Sequence, residues 1–473
     1  MAGDLCALRT ELGAASGARV LRHASAVVGL LAWTRRALGR AHLVQVAAAL
    51  HRDLGLDLDG LRALRLPVDL LEEFPRWRQG STAGFSPRPL GLALVPDGAG
   101  HPLAALRLQL SAAWGGSAIV LGVLRELARH LHPPPRVVVL IDPETDGRPV
   151  HGLARRRGRV TVARVDFGTI FARDNAVAAR DGRGRGVLLV PRALRTEWNS
   201  GVEPLDARAA RRRLGLRVVR SRLYWHGGNV LFDGDGLAVG ADAIAENVTR
   251  LGLTADEVVT LLATELGREV VVLGSPRGAR FDHERNRVAP SGQASYHVDL
   301  DVALLGRTGT DGRPTALVAD PRRGLALLSA VLAHPAVTAS PHLSAARARA
   351  VLAREYRAAA REREPMLRAY RERLERRGYR VVGVPELRLR EGRNDTVGLR
   401  PLDFVYCNVL PGLNRGRPAV HYLPWGIGAL DAAAERCFRE AGVVPIRLAR
   451  TPELASAMMR RAAGLRCFCG AMP

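Results

Sequence analysis

Apolar positions along this chain fall into two alternating rhythms. Stretches with apolar residues at every third or fourth position predict amphipathic helices, and short β-branched runs between them predict strands. A helix from about Gly116 to Leu131 leads into a buried-looking strand, Arg136 to Asp142, and a further strand is expected from Arg159 to Phe167. The pattern recurs. A helix near Pro204 to Leu214 precedes a strand at Leu216 to Arg220, Thr254 to Leu266 precedes Glu269 to Gly274, and Gly428 to Gly442 precedes Val443 to Leu448. Repetition of this kind predicts an α/β domain assembled from several similar units.

Three segments break the rhythm. Residues 1 to about 85 alternate Ala, Leu and Val with Arg at helical spacing and contain few strand signals, which predicts a helical extension. A polar stretch with Gly and Pro, Gln79 to Pro89, separates it from the α/β domain expected over 86–473. Ser344 to Arg377 is rich in arginine and glutamate, often with opposite charges three or four residues apart, and predicts a helical insertion interrupted at Pro365. Its faces read as solvated, or else as a docking surface for an acidic partner. Asp233 to Gly236 predicts a tight turn between two strands, because the glutamate that closes a calcium-binding EF-hand loop is missing downstream.

Composition narrows the class. With 473 residues, 47% of them hydrophobic and 25% charged, the chain has the balance of a soluble globular protein. It is longer than the roughly 250–300 residues at which a single core stops growing, so one large domain with an extra segment, or two domains, is expected. The net charge of +24 is carried entirely by arginine, spread along the chain among Ala, Gly, Leu and Val. That distribution reads as genome-wide composition rather than a basic patch and argues against nucleic acid as the main partner. Five cysteines without framework spacing do not make a disulfide scaffold. The apolar run Ala24 to Trp33 is too short to span a bilayer and lacks a small-residue cleavage site, so a cytoplasmic protein with no membrane partner is expected. The oligomeric state is not legible.

Four segments carry candidate chemistry. In HVDLD, His297 to Asp301, a strand would set His297, Asp299 and Asp301 on one face and Val298, Leu300 and Val302 on the other. The charged face then borders a wet cavity, or is simply the exposed face of an edge strand. FARDNAVAARD places Arg173 beside Asp174 ahead of a short strand, where the aspartate can also be a turn residue. LYWHGGNVLFDGDG offers Gly227 and Gly228 for a tight bend and Asn229 for hydrogen bonding. In AGLRCFCGAMP, Cys467 and Cys469 follow a helix expected over Pro452 to Ala463, with Gly464 as its C-cap. A zinc site needs four ligands, which one C-x-C pair does not supply; an inert buried thiol is the alternative.

An RD pair, a GGN turn, an HxD segment and a cysteine, in that order, resemble the guanidine-modifying superfamily of agmatine, protein-arginine and arginine deiminases and amidinotransferases. The resemblance runs from about Pro87 to Pro473. GADAIAENVTRLGLTADEVVTLLATELG from Gly240 is similar to the stretch after the GGN turn in agmatine and bacterial-type peptidylarginine deiminases. HVDLDVALLG followed by TALVADPRRG is similar to protein-arginine deiminases, and VYCNVL at Val405 sits where these families have a Y-x-N strand. The resemblance implies a pentein fold, a β/α-propeller of about five ββαβ-type units with pseudo-fivefold symmetry around a narrow channel. It further implies that Asp174 and Asp299 receive a guanidinium, that His297 acts as general acid and base, and that Cys467 is the nucleophile, with Asn229 and His226 in the substrate site.

The chemistry is coherent. A guanidinium is planar and cationic, so two carboxylates can clamp its N–H forks. A thiolate is a suitable nucleophile, and a nearby cation lowers its pKa. Such a mechanism requires no metal and no organic cofactor. The guanidino substrate is peptidyl arginine, agmatine or a related compound. The sequence also departs from the pattern: His226 stands where agmatine deiminases have glutamate, AGLRC replaces their GG-x-H-C, and NAV follows the RD pair in place of Gly-Pro. Two other readings therefore stay open, an amidinotransferase of the same fold and a catalytically silent binding protein.

Overall fold

The β-branched runs form short strands that assemble in one recurring arrangement. The computed structural model describes residues 89–110, 117–141, 145–157, 159–164, 171–192, 214–282, 287–309, 311–339, 343–389, 403–448 and 464–473. The expected N-terminal extension, nearly all of the helix near Pro204 to Leu214 and the helix over Pro452 to Ala463 lie outside these residues.

Strand β1 (Leu92–Leu94) is followed by β2 (Ala105–Leu110), helix α1 (Ser117–His130), β3 (Arg136–Ile141), α2 (Arg148–Arg157) and β4 (Val160–Arg164). Next come β5 (Val177–Asp181), β6 (Gly186–Val190), β7 (Arg217–Arg220), β8 (Val230–Phe232), β9 (Leu237–Gly240), the helices α3 (Ala241–Leu251) and α4 (Ala255–Leu266), and β10 (Val270–Leu273). A two-stranded ribbon, β11 (Phe281–Asp282) with β12 (Arg287–Val288), precedes β13 (Val302–Arg307) and β14 (Pro314–Asp320). After three short helices between Pro321 and Thr338, the chain forms α5 (Ala345–Arg376), β15 (Arg380–Pro385), β16 (Leu410–Asn414), β17 (Arg417–Tyr422), α6 (Gly428–Glu440), β18 (Val444–Arg447), α7 (Leu465–Phe468) and β19 (Gly470–Ala471).

Apart from the ribbon, the strands among the described residues form five mixed sheets, β1-β5-β6-β7, β10-β9-β8, β13-β14-β15, β16-β17-β18 and β19-β2-β3-β4. Four of them contain an antiparallel hairpin whose second strand then pairs in parallel with a later one: β5/β6 with β7, β8/β9 with β10, β13/β14 with β15, β16/β17 with β18. Parallel pairing needs a crossover, and helices supply it over β9, β14 and β17. The fifth sheet is closed from afar, because β19 pairs antiparallel with β2 through Gly470–Arg107 and Ala471–Leu106. The strand expected at Arg136 reads VVVLI with every residue after Arg136 buried, as a strand covered on both faces must be. Helix α4 starts where Thr254 and Glu257 form a reciprocal capping box. The DGDG turn joins β8 to β9, with the Asp233 carboxylate accepting from the Asp235 and Gly236 amides. No helix among the described residues is long and apolar enough to cross a membrane.

Two expectations are corrected here. Helix α5 is continuous over 32 residues and runs through Pro365 without a break. Nor is it a solvated insertion: Leu352, Tyr356, Ala359, Leu367, Tyr370 and Leu374 are buried on the core. Packing along both halves outweighs the single helical hydrogen bond that proline removes.

Candidate active site

Two tight turns meet beneath β8 and β13. Gly227–Asn229 forms one, held by the Gly227 amide donating to the Asp174 carbonyl (3.0 Å) and by Arg173 Nε donating to the Gly227 carbonyl (3.0 Å). The glycines are required by closeness: a Cβ on Gly227 would lie 1.8 Å from the Arg173 carbonyl oxygen, and one on Gly228 would lie 2.6 Å from His297 Nδ1. Val298–Leu300 forms the second turn, with His297 extended before it. Asn229 Oδ1 joins the two, accepting from the Val298 amide (3.0 Å) and from Gln293 Nε2 (2.9 Å).

HVDLD is therefore a one-turn helix and not the expected strand, so His297, Asp299 and Asp301 do not line up on one face. Asp301 is turned into a separate buried network, where Ser295 Oγ and Arg363 Nη2 (2.7 Å) donate to its Oδ1. His297 and Asp299 stay with Asp174, His226 and Cys467, all five at most 6% exposed. Cys467 lies in the short helix α7, which Gly464 precedes as N-cap. Its amide donates to Asn408 Oδ1 (3.1 Å), and Asn408 Nδ2 donates to the Asp299 carbonyl (3.3 Å), so Asn408 ties the cysteine segment to the HxD turn. The Arg173 amide donates to the Cys467 carbonyl (3.3 Å), linking the same segment to the RD pair.

The residues around the cluster are charged and buried. Asp97 Oδ2 receives Arg173 Nη1 (2.6 Å) and Arg466 Nη2 (2.7 Å), fixing both guanidinium groups. Asp299 is fully buried, neither of its carboxylate oxygens has a hydrogen-bond partner, and Arg466 Nε approaches one of them only to 4.0 Å. His297 Nδ1 lies 3.6 Å from Asp174 Oδ1, while His297 Nε2 and His226 Nδ1 are buried without partners. The rings of His297 and His226 are 5.0 Å apart between centroids, and Tyr296 packs on His297 at 4.3 Å.

Burial sets the protonation states. It pushes the Asp174 carboxyl well above the usual range, and the charge of Asp299 adds to this. Asp299 is pushed up to about 6 by burial, with Arg466 and Arg173 pulling it back. His226 is pushed down to about 3 by burial, reinforced by Arg250, and His297 well below its ordinary value by burial, His226 and Arg173. The Cys467 thiol is raised well above its usual value by burial and by Asp299 and Asp174, whereas Cys469 is raised to about 12 by burial alone. The cluster thus combines two imidazoles and a thiol whose charged forms burial disfavours with two carboxyl groups on which Arg173 acts from a distance. Asp174, His226 and His297 offer ligand atoms within 4.8 Å of one another.

The five residues singled out for acid–base, nucleophilic or substrate-site roles other than Asn229 come together, and Asn229 acts as the joint between their two turns. Sequence reasoning missed Asp97 and Asn408. Asp97 carried no motif signal, whereas the VYCNVL segment offered one for Asn408.

No protein-family model matches the sequence, and no curated protein does. Solved structures do match in shape. A crystal structure of a candidate peptidyl-arginine deiminase has a TM-score of 0.51 at 13% identity, over 80% of this chain and 98% of its own. A Cys→Ser variant of the C. jejuni agmatine deiminase with substrate bound has a TM-score of 0.50 at 12% identity, over 80% of this chain and 95% of its own. A candidate agmatine deiminase has 0.50 at 12%, over 81% and 96%. What these proteins share with the chain is architecture: it has the mixed-sheet pentein fold.

Proposed function

We propose that the chain is a deiminase that hydrolyses a guanidinium group, of peptidyl arginine, agmatine or a related compound, to a ureido group and ammonia. The observation that carries this reading is Asp299, a fully buried carboxylate with both oxygens unpartnered in the cluster that holds Cys467. Such a group needs a cation, and a planar guanidinium brings one with N–H donors already aimed for carboxylates. The recurring hairpin-and-crossover units support an arrangement of five units around the cluster.

Substrate charge and nucleophile activation are coupled. Asp299 and Asp174 raise the Cys467 thiol; a guanidinium bound between them cancels that effect and favours the thiolate. His297, kept neutral by burial, takes the thiol proton and becomes an imidazolium beside Asp174. Sγ attacks the guanidinium carbon, the C–N bond breaks, and ammonia leaves with the proton from His297. Water then adds to the amidino-thioether with His297 as base, the C–S bond breaks, and the ureido product departs.

The test is a panel of peptidyl arginine, free arginine and agmatine, assayed for both ammonia and ureido product in parent and Cys467→Ala protein. Equal release by the two proteins sinks the mechanism. Product that appears only with an added amine and without ammonia assigns group transfer instead.

A further inference from the structure

We infer that Asp174, His226 and His297 form a binding site for a divalent transition-metal cation of the zinc class, in the place the substrate guanidinium would occupy. The three side chains come from three separate segments, the RD pair, the residue before the GGN turn and the residue before the HxD turn, and no sequence spacing announces them. Each is at most 5% exposed, and they offer ligand atoms within 4.8 Å of one another. Two imidazoles and one carboxylate form a donor set found in zinc sites that keep an open position.

Three observations point to a cation rather than to a packing accident. His226 Nδ1 is buried with no partner, and His297 Nδ1 faces Asp174 Oδ1 at 3.6 Å. The two rings are 5.0 Å apart between centroids and come from separate turns, which sets two imidazoles side by side at the cluster. Arg173, whose charge acts on Asp174, gives its hydrogen bonds to Asp97 and to the carbonyls of Gly227 and Val230 instead. A glutamate at position 226 would pair with a charged His297; a histidine there cannot, and adds a nitrogen ligand instead. Bonds of about 2.0–2.1 Å in tetrahedral geometry bring ligand atoms to about 3.4 Å from each other, so binding draws the three side chains together. Metal at this position takes the lone pair of the proposed general base and the carboxylate proposed for the guanidinium. It therefore inhibits. That inhibition rests on the deiminase reading; the binding itself does not.

The experiment uses the full chain stripped with a chelator and titrated with Co2+, read by its visible absorption, and with Zn2+ in competition with a chromophoric chelator. One equivalent is expected to bind, at least tenfold more weakly in His226→Gln and in His297→Gln, each checked by circular dichroism for an unchanged fold. Histidines elsewhere in the chain contribute equally to all three proteins and cancel. Should either variant misfold, anomalous scattering from zinc-soaked crystals of the parent decides, by placing the ion between His226 and His297 or not. Absence of Co2+ binding, binding unchanged in both variants, or zinc located elsewhere overturns the site. Agmatine or an arginine peptide should displace the metal from Cys467→Ala; metal that stays put overturns the competition alone. Metal binding with no deimination of any substrate by the stripped enzyme removes the functional reading and leaves the site standing.

Discussion

Two buried polar regions sit two residues apart in the chain and behave in opposite ways. Asp299 belongs to the cluster with Asp174, His226, His297 and Cys467, where carboxylate oxygens and ring nitrogens lack partners. Asp301 belongs to a brace in which Arg363 Nη2 reaches Asp301 (2.7 Å) and Glu386 (2.9 and 3.0 Å), Arg363 Nη1 reaches the Ala294 carbonyl (2.8 Å) and Ser295 Oγ (2.9 Å), and Arg388 Nε reaches Asp403 (3.2 Å). Tyr370, also on α5, accepts from the Ala294 amide (2.7 Å). The long helix thereby grips the 294–301 segment. Burial alone does not separate structure from function here, since both regions are buried. Ion pairing does: Asp301 lies 2.7 Å from Arg363, whereas Arg466 comes only to 4.0 Å from Asp299, even though Asp301 Oδ2 and Arg363 Nε lack hydrogen-bond partners too.

Substitutions on the two sides should therefore fail differently. The largest effect is expected from Cys467→Ala, a loss of ammonia release of about 10⁴-fold or more with little change in stability, since a nucleophile is not replaced by its surroundings. Arg363→Ala strands buried carboxylates and should lower unfolding free energy by about 3–5 kcal/mol in a denaturant titration; a shift below about 1 kcal/mol would remove the brace from the comparison. Asp299→Asn should cost about 10²–10³ in kcat/KM while leaving the melting temperature equal or higher, because an unpartnered charge has been removed. That gain has a pH signature. Asp299 titrates at about 6 in the fold against 3.8 normally, so the folded state binds its proton more tightly, and the stability this contributes is present below pH 3.8 and lost as pH rises through 6. The advantage of Asp299→Asn over the metal-free parent should be nil near pH 4 and grow to its full size by pH 7, as thermal melts across that range would reveal. Cys469→Ser should change turnover least, within a few-fold, since Asp299 and Asp174 act on the Cys467 thiol and not on that of Cys469; complete loss would move the nucleophile.

Much of the fold was legible because local pattern and tertiary burial agree. The runs at Arg136 and Glu269 are strands, the helices at Gly116, Thr254 and Gly428 form nearly where expected, and DGDG is the hairpin turn. The HVDLD segment was misread because alternation has two physical sources. A strand alternates to face two media, whereas this turn alternates because Asp299 and Asp301 answer to different neighbours, one of them on a helix more than sixty residues later. The charges of α5 misled for the same reason: Arg363 and the buried tyrosines are invisible as core until the sheet they cover is known. Asp97 gave no signal at all, because a carboxylate that pins two arginines looks like any loop aspartate when the arginines follow 76 and 369 positions later.

That span also has a consequence in time. Arg466 reaches Asp97 across 369 residues, and β19 joins β2 from a comparable separation. Contacts between such distant positions are the slowest to form, since the entropy of closing the intervening loop is lost before they give anything back. Hairpins and crossover helices on refolding should be in place well before Cys467 is brought to its neighbours, so recovered circular dichroism would precede recovered turnover, and the interval would measure the docking of α7 and β19.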